Sequence, residues 1–139
     1  MTQPAASLTT EDREAIRRFT EQEWTAATLA RDWDRSLALC ATDVVYMPAD
    51  QPVLCGHAAL REWLNQFPPV VQFSQPLEEV SGQGNLAIAR ATFTAVVDVS
   101  GQHVKNTGKA LCWFQKDASG RWLAKAVCWN WDRPVTPAI

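Results

Sequence analysis

The chain has 139 residues, 47% of them hydrophobic and 20% charged, the balance of one globular domain with its own core rather than of a disordered or fibrous chain. A formal net charge of −2, with no cluster of Lys or Arg, excludes the basic footprint of a nucleic-acid-binding protein. No apolar run is long enough to cross a membrane, and the opening M-T-Q-P-A-A-S lacks the order of a secretory leader, so a cytoplasmic protein with reduced thiols is the expectation.

Residues 1–8 read as a flexible tail, 9–134 as a single domain and 135–139 as a second tail. Thr9, followed by Glu11 and Asp12, reads as an N-cap with first-turn acids and predicts a helix to about Ala30. At about 100° per residue, Ile16, Phe19, Ala26, Ala27 and Ala30 share one face of it, and Glu23 falls in the middle of that face. Asp32 can cap a shorter helix through Ser36, Leu37 and Cys40. Val44-Val45-Tyr46-Met47 reads as a strand that Pro48 and Asp50 terminate. Gly56 opens a third helix, in which Leu60, Trp63, Leu64 and Phe67 recur at helical spacing until Pro68-Pro69 stops it.

The second half is β-rich, with runs at 70–81, 85–99, 104–116 and 121–132. Turn residues at 82–85, Ser100-Gly101 and 117–120 separate them. Helices first and an antiparallel meander after predict an α+β domain with helices on one face of a curved sheet. In the last run, alternation puts Trp129 and Trp131 on one face and Cys128 and Asn130 on the other.

Seven Trp and five Phe against one Tyr place large flat apolar surfaces in a core or a cavity. The four cysteines (Cys40, Cys55, Cys112, Cys128) have no C-x-x-C spacing and no nearby histidine, so no metal is expected. Counting through the 117–120 turn sets Cys112 opposite Lys125, so no disulfide to Cys128 is expected either. His57 and His103 fall at a helix start and beside a turn, where side chains are usually exposed. No catalytic triad, P-loop or dinucleotide fingerprint occurs, and no cofactor is expected.

The order of pieces resembles the nuclear transport factor 2-like superfamily, nearest its SnoaL-like and SgcJ/EcaC-type branch. The resemblance rests on a helix containing Trp24, R-D at 31–32, V-Y-M-P at 45–48, L-C-G-H-A-A-L-R at 54–61, G-K-A-L at 108–111, G-R-W at 120–122 and W-N-W-D-R-P at 129–134. It implies a cone-shaped α+β barrel, three N-terminal helices packed on a strongly bent, mostly antiparallel sheet, with a pocket open at one end. A homodimer through the outer face of the sheet is implied as well. The superfamily holds isomerases, cyclases, dehydratases, epoxide hydrolases and non-catalytic binding modules, so the fold leaves function open. Carried over residue by residue, the ketosteroid isomerase positions are occupied by Trp24 instead of a tyrosine donor, Met47 instead of the general-base aspartate and Cys112 instead of a protonated aspartate. Of the epoxide hydrolase set, Arg90 matches the arginine, while Thr92 and Val127 fall near its two aspartates.

Glu23 and Asp50 are the remaining candidates for a proton handler. A carboxyl on the apolar face of a pocket helix is desolvated and suited to acid–base work, and Asp50 follows the first strand near the expected pocket mouth. Asp132, before Arg133-Pro134, reads as an ion pair or a turn cap. The resemblance brings Trp24, Tyr46, Met47, Trp63, Phe67, Arg90, Phe93, Cys112, Trp129, Asn130 and Trp131 to the pocket as substrate-lining candidates, with one of Trp129 and Trp131 facing the cavity and Asn130 turned in only by a bulge. Trp122 is expected to close the narrow end. Two readings stay open: a small cofactor-independent enzyme acting on an apolar polyketide-, steroid- or terpenoid-like metabolite by acid–base chemistry of the isomerase, cyclase, dehydratase or epoxide hydrolase type, or a non-catalytic binding or dimerising protein with the same pocket.

Overall fold

A computed structural model describes residues 6–134. The first helix begins in a reciprocal capping box. Thr9 Oγ1 accepts from the Asp12 amide and Asp12 Oδ2 from the Thr9 amide, both at 3.0 Å. Helix α1 (Thr10–Arg18) runs without a break into a π-helical turn (Phe19–Glu23) and on into α2 (Trp24–Ala30). A π turn brings residue i over i+5 instead of i+4. The rings of Phe19 and Trp24 accordingly stack with centroids 6.3 Å apart, and Arg18 Nε lies 3.7 Å from Glu23 Oε1. Trp24 thereby takes the inward position that an uninterrupted helix gives to Glu23.

Asp32 caps α3 (Trp33–Ala38), accepting from the Arg35 amide at 3.2 Å. Cys40, expected in that helix, instead opens strand β1 (Cys40–Met47). After β2 (Leu54–Cys55), α4 (Gly56–Gln66) buries Leu60 and Leu64 and ends before the two prolines. The N-terminal tail ends earlier than predicted. Leu8 is in the core and Ser7 bridges Gln83, because an apolar side chain beside the first turn gains more from burial than from freedom. The 135–139 tail lies outside the described residues.

The sheet continues with β3 (Val70–Ser74), β4 (Leu77–Gln83), β5 (Leu86–Val99), β6 (Gln102–Lys116) and β7 (Trp122–Trp131). The order is β2-β1-β7-β6-β5-β3, with β4 also on β5. The predicted run at 70–81 is two strands, because Pro76 has no N–H for the ladder; both lie along β5. Ser100 and Gly101, both at positive φ (52° and 85°), form the two-residue turn that joins Val99 to Gln102. The sheet curls around the helices without closing, so it is an open cone rather than a complete barrel.

One irregularity controls everything at the wide end. β6 pairs Phe114 with Ala124 but Trp113 with Ala126, so Lys125 bulges out of the ladder. The predicted opposition of Cys112 and Lys125 is corrected by this extra residue and by the turn: Cys112 lies opposite Val127, and Cys128 opposite Leu111. All four cysteines are free thiols. Before the bulge β7 buries Trp122 and Ala124; after it Val127, Trp129 and Trp131 line a cavity, so the inward set changes from even to odd numbers. Asn130 is left exposed.

Candidate functional site

A cavity of about 90 Å³, partly open to solvent, occupies the wide end of the cone. Its walls come from every layer. Trp24 and Thr28 project from α2, one turn apart; Tyr46 from β1; Trp63, Leu64 and Phe67 from α4 and its end. Phe73 and Gln75 continue β3, Phe93 and Ala95 face inward from β5, and Val127, Trp129 and Trp131 do so from β7.

The rings brace one another. Trp129 lies at the centre, with centroids 6.2 Å from Trp63, 5.7 Å from Phe93 and 5.1 Å from Trp131, mostly edge-to-face. Phe93 crosses Gly108 on the neighbouring strand: a Cβ there would come within 2.2 Å of the Phe93 ring and 2.4 Å of the Asn130 carbonyl oxygen. Arg31 fixes the rim, donating to the Phe67 carbonyl at 2.9 Å and to the Asn65 carbonyl at 3.3 Å while its guanidinium lies over Trp33.

The polar inventory is short. Trp129 Nε1 donates to the Tyr46 hydroxyl oxygen at 2.9 Å. Thr28 donates to the Trp24 carbonyl at 2.8 Å, and Gln75 Nε2 donates to the Thr20 carbonyl in the π turn at 3.0 Å. Burial pushes the Tyr46 hydroxyl well above its ordinary range, against the opposing effect of the Trp129 hydrogen bond. Tyr46 therefore stays protonated near neutral pH, and with its oxygen engaged by the indole its proton is free to be donated. Among the described residues no carboxylate, histidine, lysine or arginine lines the cavity.

Of the predicted lining residues, Trp24, Tyr46, Trp63, Phe67, Phe93, Trp129 and Trp131 meet at this cavity. Both C-terminal tryptophans face it, correcting the expectation of one, since residues two apart on a strand share a face. Cys112 lines a smaller void deeper in the cone, where burial holds its thiol well above the usual range. Met47 points away from Tyr46's side of β1, and Arg90 lies on the outer face of the sheet beside Glu79, with 3.6 Å between charged atoms. Thr92 is also turned outward, donating to Glu78 at 2.7 Å.

Neither candidate proton handler lines the cavity. Glu23 is turned aside by the π turn toward Arg18, its side chain 37% exposed, and Asp50 is exposed in a left-handed turn at φ 61°. Asp132 is an ion-pair residue, 3.0 Å from Lys109 Nζ. His103 is exposed, but His57 is half-buried against the Cys40 carbonyl, 3.1 Å away. Among the described residues no group of three or more His, Cys, Asp or Glu is placed to hold a metal ion, and no helix is long and apolar enough to cross a membrane.

Sequence reasoning missed Thr28, Trp33, Leu64, Val70, Phe73, Gln75, Ala95, Ala110 and Val127. Several carry a readable signal. Thr28 is one turn beyond Trp24, Ala95 two residues beyond Phe93, and Val127 two before Trp129.

An open cone of curled sheet around three helices, with an aromatic cavity at its wide end, defines a cystatin-like or nuclear transport factor 2-like fold. A profile of the SnoaL-like domain matches residues 21–124, and the chain belongs to that family. Among solved structures it is similar to a ketosteroid isomerase-like protein from Erwinia carotovora atroseptica (19% identity, TM-score 0.72, covering 81% of this chain and 90% of that one). A Nostoc punctiforme protein of unknown function with a cystatin-like fold gives 17% identity and a TM-score of 0.76, covering 94% and 97%. A nuclear transport factor 2-like protein of unknown function from Pseudomonas putida gives 21% identity and 0.65, covering 87% and 84%. At these identities the likeness is one of fold. No curated protein matches the sequence.

Proposed function

We propose that this protein binds a small apolar molecule carrying one hydrogen-bond-accepting oxygen, which the Tyr46 hydroxyl engages. The observation that carries this reading is the pairing of Trp129 Nε1 with the Tyr46 oxygen inside an otherwise apolar cavity. The pairing leaves the Tyr46 hydroxyl proton available beside the indole N–H groups of Trp24, Trp63 and Trp131, unpartnered among the described residues, and the surrounding rings supply the binding surface. A cavity of about 90 Å³ favours a compact molecule over a polycyclic one. The enzymatic alternative, an isomerase, cyclase, dehydratase or epoxide hydrolase working by acid–base chemistry, requires a proton handler at the ligand. Glu23 and Asp50 both lie away from the lining, which favours binding without proton transfer.

A thermal-shift screen of small ketones, phenols and terpenoid alcohols tests the reading, since a ligand that binds only the native state raises the melting temperature. A hit whose stabilisation is reduced by Tyr46→Phe supports it. A turned-over substrate whose conversion is lost in Glu23→Gln or Asp50→Asn overturns it in favour of the enzyme.

We also propose a homodimer through the outer face of the sheet. Leu86, Ile88, Leu111 and Trp113 are exposed there, with Ile88 paired directly to Trp113. Arg90 and Glu79 on the same face provide both signs of charge, as a self-complementary twofold interface requires. Sedimentation equilibrium of the protein and of Leu111→Glu is the test: a monomeric wild type removes the proposal.

A further inference from the structure

We propose that the cavity continues into a second, inner chamber that receives the slender apolar end of the ligand, so that small side chains on three strands set ligand length. This deepens the binding reading above and rests on it.

The inner void, about 40 Å³, lies deeper in the cone and shares Trp24, Gln75, Ala110 and Val127 with the outer cavity. Those four residues form the partition between the chambers. Trp24 is held there by Phe19, on which its ring stacks, and by Tyr46, whose ring centroid is 6.4 Å away. Gln75 is tied to the π turn through the Thr20 carbonyl.

The walls of the inner chamber are unusual for a core. Ala89 and Ala91 on β5, Ala110 and Cys112 on β6 and Ala124 on β7 all occupy inward positions. These positions lie beside or opposite one another in the ladder: Ala89 faces Cys112, and Ala91 faces Ala110. Elsewhere on β5 the inward positions carry Ala87, Phe93, Ala95 and Val97, while Phe114 of β6 and Phe19 of the π turn close the far side of the chamber. Protein cores pack to crystalline density, and an unfilled void costs stability because its lining atoms lose contacts. Larger apolar side chains at any of these sites would fill the void, yet each is small, and the void adjoins a cavity with an aimed hydrogen-bond donor. An apolar void of this kind stays dry and favours hydrocarbon. The ligand this geometry fits has an acceptor oxygen and a ring at the wide end and an unbranched alkyl chain running past Trp24 and Gln75.

The test is a chain-length series of phenol, para-cresol, para-propylphenol and para-hexylphenol, titrated calorimetrically against wild type, Ala89→Leu and Ala91→Val. Both substituted residues line only the inner chamber, and far-UV circular dichroism with thermal unfolding identifies any variant that fails to fold. Wild type should tighten about fourfold per added methylene until the chamber is full. Ala89→Leu should abolish that gain while leaving phenol affinity within about twofold, and the smaller Ala91→Val should shorten the chain length at which the gain ends. If phenol binds but its affinity does not grow with chain length, or grows equally in the variants, the inner subsite is overturned while the outer pocket stands. If none of the series binds wild type, the binding reading falls and takes the subsite with it.

Discussion

Each end of the cone has a tryptophan whose indole N–H meets an oxygen, and the two ends differ in what is left over. At the narrow end Trp122 Nε1 and Lys116 Nζ both converge on Asp12 Oδ1 at 3.1 Å, while Oδ2 takes the Thr9 amide. The Asp12 side chain is only 9% exposed, and its hydrogen-bond partners are all in the chain. At the wide end Trp129 engages the Tyr46 oxygen, but the Tyr46 proton has no acceptor among the described residues. The indole N–H groups of Trp24, Trp63 and Trp131 likewise have no partner there, and none of these atoms is sealed from the cavity or from solvent. The narrow end has spent its polar groups on the fold itself; the wide end keeps donors unspent, as the proposed binding role requires.

Breaking the narrow end should have the largest effect. Asp12→Ala leaves Lys116 and the Trp122 N–H without their acceptor and removes the Asp12 half of the capping box, for an expected loss of about 3 kcal/mol by chemical denaturation. Gly108→Ala comes next, at about 2 kcal/mol, because the Asn130 backbone cannot yield and Phe93 must leave its position. Unlike Asp12→Ala, it should also disturb tryptophan fluorescence from the wide end. Tyr46→Phe should cost only about 1 kcal/mol of stability while weakening a phenolic ligand about tenfold, since the unpaired Trp129 N–H still faces the cavity.

Acid sharpens the contrast. The Thr9 amide, opposed by burial and aided by Lys116 and Trp122, holds the Asp12 carboxyl far below its ordinary value of 3.8. A depressed folded pKa gives stability that is complete above the unfolded value and is lost as pH falls through the window below it. Wild type should therefore lose melting temperature below about pH 4, and Asp12→Asn should flatten that limb. Smallest of all, Glu23→Gln and Asp50→Asn should change stability by less than about 0.5 kcal/mol, since both side chains are solvated.

The fold was legible because its signals are local and redundant: the Thr9 cap, the helical spacing of Leu60, Trp63, Leu64 and Phe67, and the Ser100-Gly101 turn each specify one element. The candidate site was legible only in its aromatic part. Glu23 was misassigned because a helical projection assumes i+4 neighbours, and the π turn makes Trp24 the neighbour of Phe19. The faces of Trp129, Asn130 and Trp131 were undetermined because the single extra residue at Lys125 reverses inside and outside, and nothing local in A-K-A-V announces a bulge. Asp12 read as a first-turn acid and is one, yet its bonds to Lys116 and Trp122 span 104 and 110 residues, beyond any pattern of short spacing.

The pairing of β1 with β7 has a consequence for how the chain folds. It is the one parallel pairing among the described residues, and it joins Cys40 to Ala124 across most of the sequence. The hairpins from β4 to β7 can zip from their own turns, but β1 has no long neighbour until the last strand exists. During synthesis β1 therefore lacks its long hydrogen-bonding partner until the stretch that also carries the two cavity tryptophans has emerged. The strand that finishes the pocket is also the strand that admits the beginning of the chain to the sheet.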